Sequence, residues 1–519
     1  METWFVVTVT ICICFLLRSF LTLFSSKSGG GGNGGLSLPP GPTSLRTIIA
    51  FSWTGISFSQ IEAYMRSLRR KYGPIVALRF GSRVSVFISD HELAHKALVQ
   101  NGAIFANRPA PSPAAKLINS NQKTISSAFY GPTWRLFRRN LTYEILHPSR
   151  VRSYSASRKW ILDILIRSLE QDAAAAAADG VKVVDRLQYA MFCVLVFMCF
   201  GDRVSDEQIK GLERVQRDLI VIIGKSNVLN FVPDNPTLTN LVFGRGWSEL
   251  YRIRDEQERV LIPLIRARKE QKAESGAEDR KMLSYVDSLL QLELPEEKRC
   301  LTDEEMVTLC SEFLVAGTDT TSTALHWIMA NLVKHQRIQE TLVEEIKSRV
   351  GSLDVEIREE DLHKLPYLKA VILEGLRRNP PGHFVLPHAV SEDTELNGHL
   401  IPKNGGTINF MTGEMGWDPE VWEDPMEFKP ERFLKKNGEV EFDITGSKEI
   451  KMMPFGAGRR MCPAYQLAML HLEYFTANLV ARFRWAAVDD VSLEEKQEIT
   501  IVMKHPLRAR LELRKRIQA

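Results

Sequence analysis

Cysteine is scarce in this sequence, and its scarcity excludes several classes of protein. The 519 residues include seven cysteines. An odd number of widely separated cysteines does not form a disulfide framework, which indicates a reducing compartment. No Cys-x-x-Cys pair and no Cys/His cluster with zinc spacing occurs in the sequence, so no zinc site is predicted. The cysteines are Cys12, Cys14, Cys193, Cys199, Cys300, Cys310 and Cys462.

A large excess of one charge is also missing. Lys and Arg number 67 and Asp and Glu number 63, which gives a formal net charge of +4. This balance argues against a dedicated nucleic-acid binder, so no nucleic-acid partner is expected. Hydrophobic residues make up 44% of the chain, which is enough to bury a large core. The composition therefore favours a large globular protein.

The longest apolar run lies at the N-terminus, over Trp4–Phe24, where Arg18 is the single charged residue. As a helix it would reach about 30 Å, enough to cross a bilayer. Glu2 precedes the run and no Ala-x-Ala-like site follows it, so we favour an uncleaved anchor over a signal peptide. Basic residues from Lys27 onward favour a cytosolic C-terminal side. We predict an anchor at 1–27, a Gly-rich and Pro-rich linker at 28–42 and one large domain at 43–519.

Strand patterns are few, whereas helical patterns are long. Apolar alternation over Ile75–Phe80 and Val84–Ile88 predicts a β-hairpin. Further strand patterns occur around Phe384–Ile401 and in Ile499–Leu513, and helical periodicity dominates the middle of the chain. Gln122–Phe129 fits neither pattern and is predicted to be a mobile loop. The sequence therefore predicts a mainly α fold with a small β portion (α+β).

Cys462 lies in the most informative stretch of the chain, Phe455–Ala464. Pro463 has a fixed φ and no N–H, so it suits the first position of a helix and makes Cys462 the predicted N-cap. The unpaired N–H groups of that helix and the nearby Arg459 and Arg460 favour the thiolate over the thiol. Two glycines in the stretch would let the backbone approach a large flat ligand. A thiolate held in this way suits a metal that needs one anionic axial ligand.

This stretch resembles the haem-binding loop of the cytochromes P-450, which are haem-thiolate monooxygenases with the pattern Phe-x-x-Gly-x-Arg-x-Cys-x-Gly. The residues that match are Phe455, Gly458, Arg460 and Cys462, and Ala464 replaces the last glycine. The resemblance implies the cytochrome P-450 fold, preceded by one N-terminal transmembrane helix. It also implies that the loop binds haem b (iron protoporphyrin IX), with Cys462 as the metal ligand. The loop residues implied to contact the cofactor are Phe455, Gly456, Arg460 and Cys462.

A second motif lies within a long predicted helix that begins at Thr302. Thr302 and Glu305 have capping-box spacing at its start. Ala316–Thr321 is typical of a turn by propensity, but the apolar stripe keeps its phase on both sides, so an uninterrupted helix is predicted. The motif resembles the family's Ala-Gly-x-Asp/Glu-Thr. The resemblance implies that Thr320 serves oxygen activation and that Asp319 relays protons from water.

Three other positions resemble the family's contacts with the haem propionates. Trp134 and Arg138 lie at i, i+4 on one face of a predicted helix, and His388 follows Pro387 in a predicted turn. From the residues alone, Trp134 and Arg138 are more typical of a surface cation–π pair, and His388 is equally typical of a surface histidine. The resemblance implies instead that all three contact the cofactor.

The resemblance further implies a buried ion network. Glu374 and Arg377 form an i, i+3 pair near the end of a helix that Asn379-Pro380-Pro381 terminates. Arg432 follows within the sequence Pro-Glu-Arg-Phe. In the family, Glu-x-x-Arg and the later arginine hold the haem-side core together. We therefore predict a structural, not a catalytic, role for these three residues.

The expected substrate pocket and partners rest on the resemblance. Phe384 and Val385 would line the substrate side, together with Ala316 and with Gly317, which would leave space for O₂. Residues Phe410–Phe433 are similar to plant microsomal members, among them the plant family numbered eighty-nine. The resemblance implies a place on the endoplasmic reticulum membrane with the catalytic domain facing the cytosol. It also implies an NADPH–haemoprotein reductase as partner and a role in plant secondary metabolism.

The resulting hypothesis is a membrane-anchored haem-thiolate monooxygenase. It would insert one oxygen atom from O₂ into a small apolar organic substrate, using electrons from NADPH that the reductase delivers. One alternative is a haem-thiolate isomerase or dehydratase of hydroperoxides. Asp319 and Thr320 argue against it, because that chemistry needs no proton delivery to O₂. The other alternative is a non-catalytic haem-binding protein.

Overall fold

A computed structural model of the chain describes residues 36–43, 47, 61–80, 83–176, 179–201, 204–225, 236–274, 283–351, 353 and 356–514. The predicted anchor at 1–27 and the first part of the predicted linker, 28–35, lie outside the described residues. Within the described ranges, no helix combines the length and the apolar character needed to span a bilayer.

Helices make up most of the described chain, as the long apolar periodicities predict. Proline begins several of them, since its fixed φ suits a position that needs no N–H. The α-helices are α1 (Ile61–Tyr72), α2 (His91–His95), α3 (Pro113–Ile118), α4 (Pro132–Asn140), α5 (Pro148–Ser153), α6 (Ser155–Ala175), α7 (Val184–Phe200), α8 (Asp206–Lys225), α9 (Pro236–Glu274), α10 (Tyr285–Leu289), α11 (Asp303–Lys334), α12 (Gln336–Val350), α13 (Pro366–Arg378), α14 (Thr412–Gly416) and α15 (Tyr465–Arg482). Short π-helical turns cover Lys96–Gln100 and Leu141–Ile145, and 3₁₀ turns cover Glu359–Lys364, Pro430–Phe433 and Gly458–Arg460.

The strands are short and form small sheets. They are β1 (Ile75–Phe80), β2 (Arg83–Ile88), β3 (Val181–Lys182), β4 (Glu293–Leu294), β5 (Arg299–Cys300), β6 (Thr394–Leu396), β7 (His399–Ile401), β8 (Gly406–Phe410), β9 (Phe483–Ala487), β10 (Glu495–Gln497), β11 (Ile501–Met503) and β12 (Arg508–Leu513). The predicted hairpin is confirmed, because β1 and β2 pair antiparallel, and β8 joins β2 in parallel. Strand β12 pairs with both β3 and β9. The predicted mainly α fold with a small β portion is therefore confirmed.

Helix α11 is the central element of the core. A capping box of Thr302 and Glu305 closes its N-terminus, and the helix runs unbroken through Ala316–Thr321. Both features agree with the sequence. Most of its residues are buried, since α7, α9, α13 and α15 pack around it in one continuous hydrophobic cluster. This packing supplies the stability that the Gly- and Thr-rich middle lacks by propensity.

The predicted ion network holds α13 to the 3₁₀ turn at Pro430–Phe433. Arg377 Nε and Nη2 lie 2.7 and 2.8 Å from the two carboxylate oxygens of Glu374, and both side chains are fully buried. Arg432 Nε lies 3.2 Å from the same carboxylate, which also accepts a bond from the Lys429 N–H at 2.7 Å. Arg377 donates further to the carbonyl groups of Gly416 and Pro425, so its charge is well satisfied.

We predict that Arg377→Met lowers the free energy of unfolding by about 3–5 kcal/mol, because it leaves the Glu374 charge buried without its main partner. Urea unfolding of the solubilised full-length protein, followed by circular dichroism, measures this change. The control is Arg252→Met, which removes an exposed arginine paired with Glu249 and Glu256. Equal behaviour of the two variants would contradict a stabilising role for the network.

Candidate active site

Cys462 lies in a turn between the 3₁₀ turn at Gly458–Arg460 and helix α15. Its N–H donates to the Phe455 carbonyl at 2.8 Å, which closes the loop on itself. The prediction that Cys462 is the N-cap of the following helix is wrong, because α15 begins at Tyr465 with Ala464 as N-cap. The fixed φ of Pro463 suits a turn as well as a first helical position.

The electrostatic surroundings of Cys462 also differ from the prediction. Burial raises the pKa of the thiol, while a backbone hydrogen bond from Ala464 and the guanidinium of Arg138 lower it. Arg459 donates instead to the hydroxyl of Tyr130 at 2.5 Å. Arg138 on α4, rather than a neighbour in sequence, is therefore the cation that favours the thiolate.

The two glycines of the loop serve different purposes. Gly456 has φ +68°, and a Cβ there would still have space, with Val385 Cγ1 at 3.6 Å as its nearest neighbour. Gly458 also has φ +68°, but a Cβ there would lie 1.9 Å from the Leu98 carbonyl oxygen. Gly458 is thus required by the close approach of the π-helical turn at Lys96–Gln100. The predicted approach to a flat ligand stays a prediction for Gly456.

The middle of α11 presents two small side chains to open space. Ala316 and Thr320 are exposed although the helix around them is mostly buried. They share one face at i, i+4, and the Thr320 hydroxyl donates to the Ala316 carbonyl at 2.7 Å. Gly317 lies on another face, where a Cβ would come within 2.7 Å of Leu195 Cδ1 on α7. Gly317 therefore permits close helix packing, and the expectation that it leaves space for O₂ is not supported.

Asp319 points to a different side of α11 from Thr320, since consecutive helical residues differ by about 100°. Its Oδ1 accepts a hydrogen bond from Gln188 Nε2 on α7 at 2.8 Å. Burial raises the pKa of the Asp319 carboxyl, and the Gln188 bond and the Arg217 charge on α8 oppose that rise. The structure therefore does not bring the Asp319 and Thr320 side chains together on one surface.

Two of the predicted propionate contacts are available for an anion. Trp134 Nε1 is buried and lacks a hydrogen-bond partner in the described part of the chain, and the Arg460 guanidinium covers the Trp134 ring at 4.6 Å. Arg138 is half-buried, and its pKa is lowered by burial. Arg460 itself donates to the carbonyl groups of Ala106, Ile125 and Ala128.

His388 is buried, and a backbone carbonyl orients its ring. Its Nδ1 lies 2.7 Å from the Phe105 carbonyl, so the ring carries its proton there and offers Nε2 as an acceptor. Burial, with the charges of Arg108 and Arg460, lowers the pKa of His388 to about 3, and the bond to Phe105 opposes this shift. A carboxylate next to Nε2 would raise this pKa, because it favours the protonated ring, so the propionate contact of His388 stays a prediction.

The comparisons with known proteins agree with the motifs. Residues 39–513 match the family model described as Cytochrome P450. The chain belongs to the cytochrome P-450 family. It is 48% identical over 487 residues to Cytochrome P450 89A9 of Arabidopsis thaliana, across 91% of this chain and 93% of that protein. This relative confirms the predicted likeness to the plant family numbered eighty-nine.

Two further likenesses cover nearly the whole cytochrome P-450 chain. Flavonoid 3'-monooxygenase of Arabidopsis thaliana is 30% identical over 511 residues, across 96% of each chain. A solved structure, zebra fish cytochrome P450 with progesterone, superposes with a TM-score of 0.72 at 23% identity and covers 88% of this chain and 99% of that chain. The solved structure supports the fold alone, whereas the relatives in sequence indicate a monooxygenase.

Membership in the cytochrome P-450 family implies a haem cofactor, and the residues present fit one. Cys462 offers a partly buried sulfur beside the Arg138 guanidinium. The buried Trp134 Nε1 has no partner among the described residues, so it is free to donate to a carboxylate. Ala316 and Thr320 leave one face of α11 exposed. These features match a large flat ligand that carries a metal and acidic groups.

The predicted pocket residues Phe384 and Val385 separate in the structure. Val385 Cγ1 would lie 3.6 Å from a Cβ added to Gly456 of the cysteine loop, and the Val385 N–H donates to the Phe410 carbonyl at 3.2 Å. Phe384 packs edge-on against Phe87 of β2, with ring centroids 6.1 Å apart. Val385 is therefore the better placed of the two to border the cofactor, and both assignments stay predictions.

Sequence reasoning missed Glu312, which lies one turn before Ala316 on the same face of α11. Its two carboxylate oxygens accept the N–H groups of Ile125 and Ser126 at 2.8 and 2.7 Å. Burial raises the pKa of Glu312, and these bonds oppose the rise. The sequence did carry a signal for this residue, because Glu312 is an acidic residue within the apolar stripe of the helix, four positions before Ala316.

The segment that Glu312 binds is the one predicted to be a mobile loop. It lacks regular structure, as predicted, but charged side chains fix its backbone. Arg108 Nε donates to the Ser126 carbonyl at 2.7 Å, and Arg460 Nη1 donates to the Ile125 carbonyl at 3.1 Å. The backbone of Ile125 and Ser126 is thus held by one carboxylate and two guanidinium groups.

We predict that Glu312→Gln speeds amide exchange in residues 122–129 about tenfold or more. Gln keeps one acceptor, so one N–H loses a bond to a charged group worth about 1.5–3 kcal/mol. Hydrogen–deuterium exchange followed by mass spectrometry measures the effect. Glu304→Gln, an exposed change on the same helix, is the control, and equal exchange in both variants would refute the role of Glu312.

Proposed function

We propose that this cytochrome P-450 is a membrane-anchored monooxygenase that uses NADPH, through a reductase, to insert one oxygen atom from O₂ into a small apolar organic substrate. The observation that carries the proposal is the exposed face of α11 at Ala316 and Thr320 in a chain that also holds the Cys462 loop. A helix buried along most of its length leaves these two residues uncovered at the family's oxygen-binding motif.

The chain's own residues have distinct roles in this proposal. Cys462 would hold the haem iron, and Trp134, Arg138 and His388 would contact its propionates. Arg460 would hold the loop beside the cofactor through its bonds to backbone carbonyls. When bound, the haem supplies oxygen activation, which thiolate ligation favours by donating electron density. The Thr320 hydroxyl group lies with its proton on the exposed face of α11. The Asp319 carboxyl group lies on the side of the helix that packs against α7 and α8.

A basic surface beside the cysteine loop supports a reductase partner. Arg135 and Arg139 on α4 and Arg459 in the loop are exposed. Arg135 and Arg459 flank the Tyr130 ring at 4.9 and 5.6 Å. A cationic surface next to the cofactor loop suits a partner with an acidic surface, because complementary charge speeds association. We propose that this surface receives the electron-donating flavoprotein.

Relatives guide the choice of substrate and location. Relatives named for an activity include the flavonoid 3'-monooxygenase and an isoflavone 3'-hydroxylase of Medicago truncatula, which is 31% identical over 485 residues. Their names support a small, largely apolar aromatic substrate from plant secondary metabolism. The apolar run at Trp4–Phe24 supports an anchor in the endoplasmic reticulum membrane.

We predict that Cys462→Ala abolishes the carbon-monoxide absorption band from which the family takes its name, together with haem retention. The reason is that alanine offers no anionic ligand for the iron. Difference spectra of reduced membranes measure the band, and pyridine haemochrome measures bound haem. Cys300→Ala, which removes an exposed thiol, is the control. A retained band in Cys462→Ala would refute the assignment of the ligand.

We predict that Thr320→Ala keeps that band but lowers product formed per NADPH about tenfold or more, with the electrons diverted to hydrogen peroxide. Thr318→Ala is a matched control, because the Thr318 hydroxyl makes the same kind of bond, to the Leu314 carbonyl at 2.7 Å, but is buried. The substrate is first identified from spectral shifts with candidate plant phenolics.

The outcome also separates the alternatives. Unchanged product yield in Thr320→Ala would contradict its role in oxygen activation. Turnover of hydroperoxides without NADPH would favour an isomerase or dehydratase. Ligand-induced spectra without any NADPH consumption across the substrate panel would favour a non-catalytic haem-binding protein.

A further inference from the structure

A small cavity lies between helices α7, α8 and α11, next to Asp319. Its volume is about 20 Å³, and its lining includes Gln188, Gln216, Arg217 and Asp319. A cavity needs roughly 10–15 Å³, and two to four polar partners, to hold one water molecule. The space therefore accommodates one water molecule but no larger ligand.

Two of the residues that line this cavity each carry a buried polar atom that has no partner among the described residues. Asp319 Oδ2 and Gln216 Nε2 both lack a hydrogen bond within the described ranges. The two residues are 9% and 3% exposed, so bulk water does not satisfy them. One atom is an acceptor and the other a donor, and buried polar atoms of this kind are nearly always paired with protein or ordered water.

A chain of hydrogen bonds fixes which end of the Gln216 amide faces the cavity. Gln257 Nε2 on α9 donates to the Ser311 hydroxyl at 2.8 Å. Ser311 therefore directs its own proton to Gln216 Oε1, which lies 2.7 Å away. The carbonyl end of the Gln216 amide is thus occupied, and its N–H₂ end is left for the cavity.

We propose that this cavity binds one water molecule, which accepts a hydrogen bond from Gln216 Nε2 and donates one to Asp319 Oδ2. Gln188 and Gln216 are then positioning residues. Gln188 holds the carboxylate of Asp319 toward the water, and Gln216 holds the water. The role of this water as a source of protons for oxygen activation rests on the proposed function, whereas the water site itself does not.

The charges around the site allow exchange with solvent. Arg217 and Glu213 form an ion pair of 2.7 Å at the wall of the cavity, and their side chains are 49% and 24% exposed. Arg217 Nη2 also lies 3.5 Å from Gln188 Oε1. Glu498, in the turn between β10 and β11, is the other charge that acts on Asp319. The Arg217–Glu213 pair is thus a partly exposed part of the cavity wall.

The test uses the haem-loaded full-length protein and two matched variants. Gln216→Met removes the donor to the water, whereas Gln257→Met removes a buried amide from the same chain but leaves the donor in place. High-resolution crystal structures report the water. Infrared titration of the Asp319 carboxyl, with Asp319→Asn to identify its band, reports the pKa.

We expect an ordered water between Gln216 Nε2 and Asp319 Oδ2 in the parent protein and in Gln257→Met, and its loss in Gln216→Met. Losing a donor to the carboxylate favours the neutral acid, so the pKa of Asp319 should rise by about one unit in Gln216→Met alone. Well-defined density without this water in the parent protein, or equal pKa shifts in both variants, overturns the proposal. The parent structure decides the question even if a variant fails to fold, and neither readout depends on turnover.

Discussion

Polar groups inside a buried helix must find partners, and helix α11 carries several of them in its middle turns. Much of the surrounding structure follows from that constraint. Glu312 finds its partners in the N–H groups of a loop, Ser311 in an amide of α8, and Asp319 in an amide of α7. The two threonines 318 and 320 bond to carbonyl groups of their own helix. The pairings of Glu312, Ser311 and Asp319 therefore each tie α11 to a different neighbour.

The cysteine loop, Phe455–Ala464, is also held by hydrogen bonds of a partly buried polar side chain, and here the acceptors are backbone carbonyl groups. Arg460 donates to three of them, and one, the Ile125 carbonyl, belongs to the same peptide group as the Ser126 N–H that Glu312 binds. The loop that carries Cys462 and the helix that carries Thr320 therefore contact one shared peptide, at Ile125. Since a buried charge without partners is costly, displacement of this peptide would disturb both. This arrangement couples the cofactor loop to the segment at 122–129 through few, strong interactions.

Local patterns were predictable from the sequence, and partners distant along the chain were not. The alternation of apolar and polar residues predicted the β1–β2 hairpin, and a continuous stripe of apolar residues predicted α11. Both patterns repeat within a few residues of the chain. The prediction of an N-cap at Cys462 was wrong, because a proline such as Pro463 fits a turn as well as the start of a helix. The partners of Glu312 lie 186 and 187 residues earlier in the chain, so no local pattern could name them. The family motifs singled out Cys462 and Thr320 as candidate site residues. They did not predict which side chains share a face of α11.

The division of α11 into faces has a functional meaning. Glu312, Ala316 and Thr320 recur every four residues and face the loop at 122–129 and the exposed space beside it. Asp319 faces α7 and α8, where Gln188 and the Arg217–Glu213 pair lie. A helix turns by about 100° per residue, so adjacent positions in one motif reach separate environments. In the function proposed above, protons therefore reach Asp319 from the side of α8, apart from the side of α11 that receives the substrate.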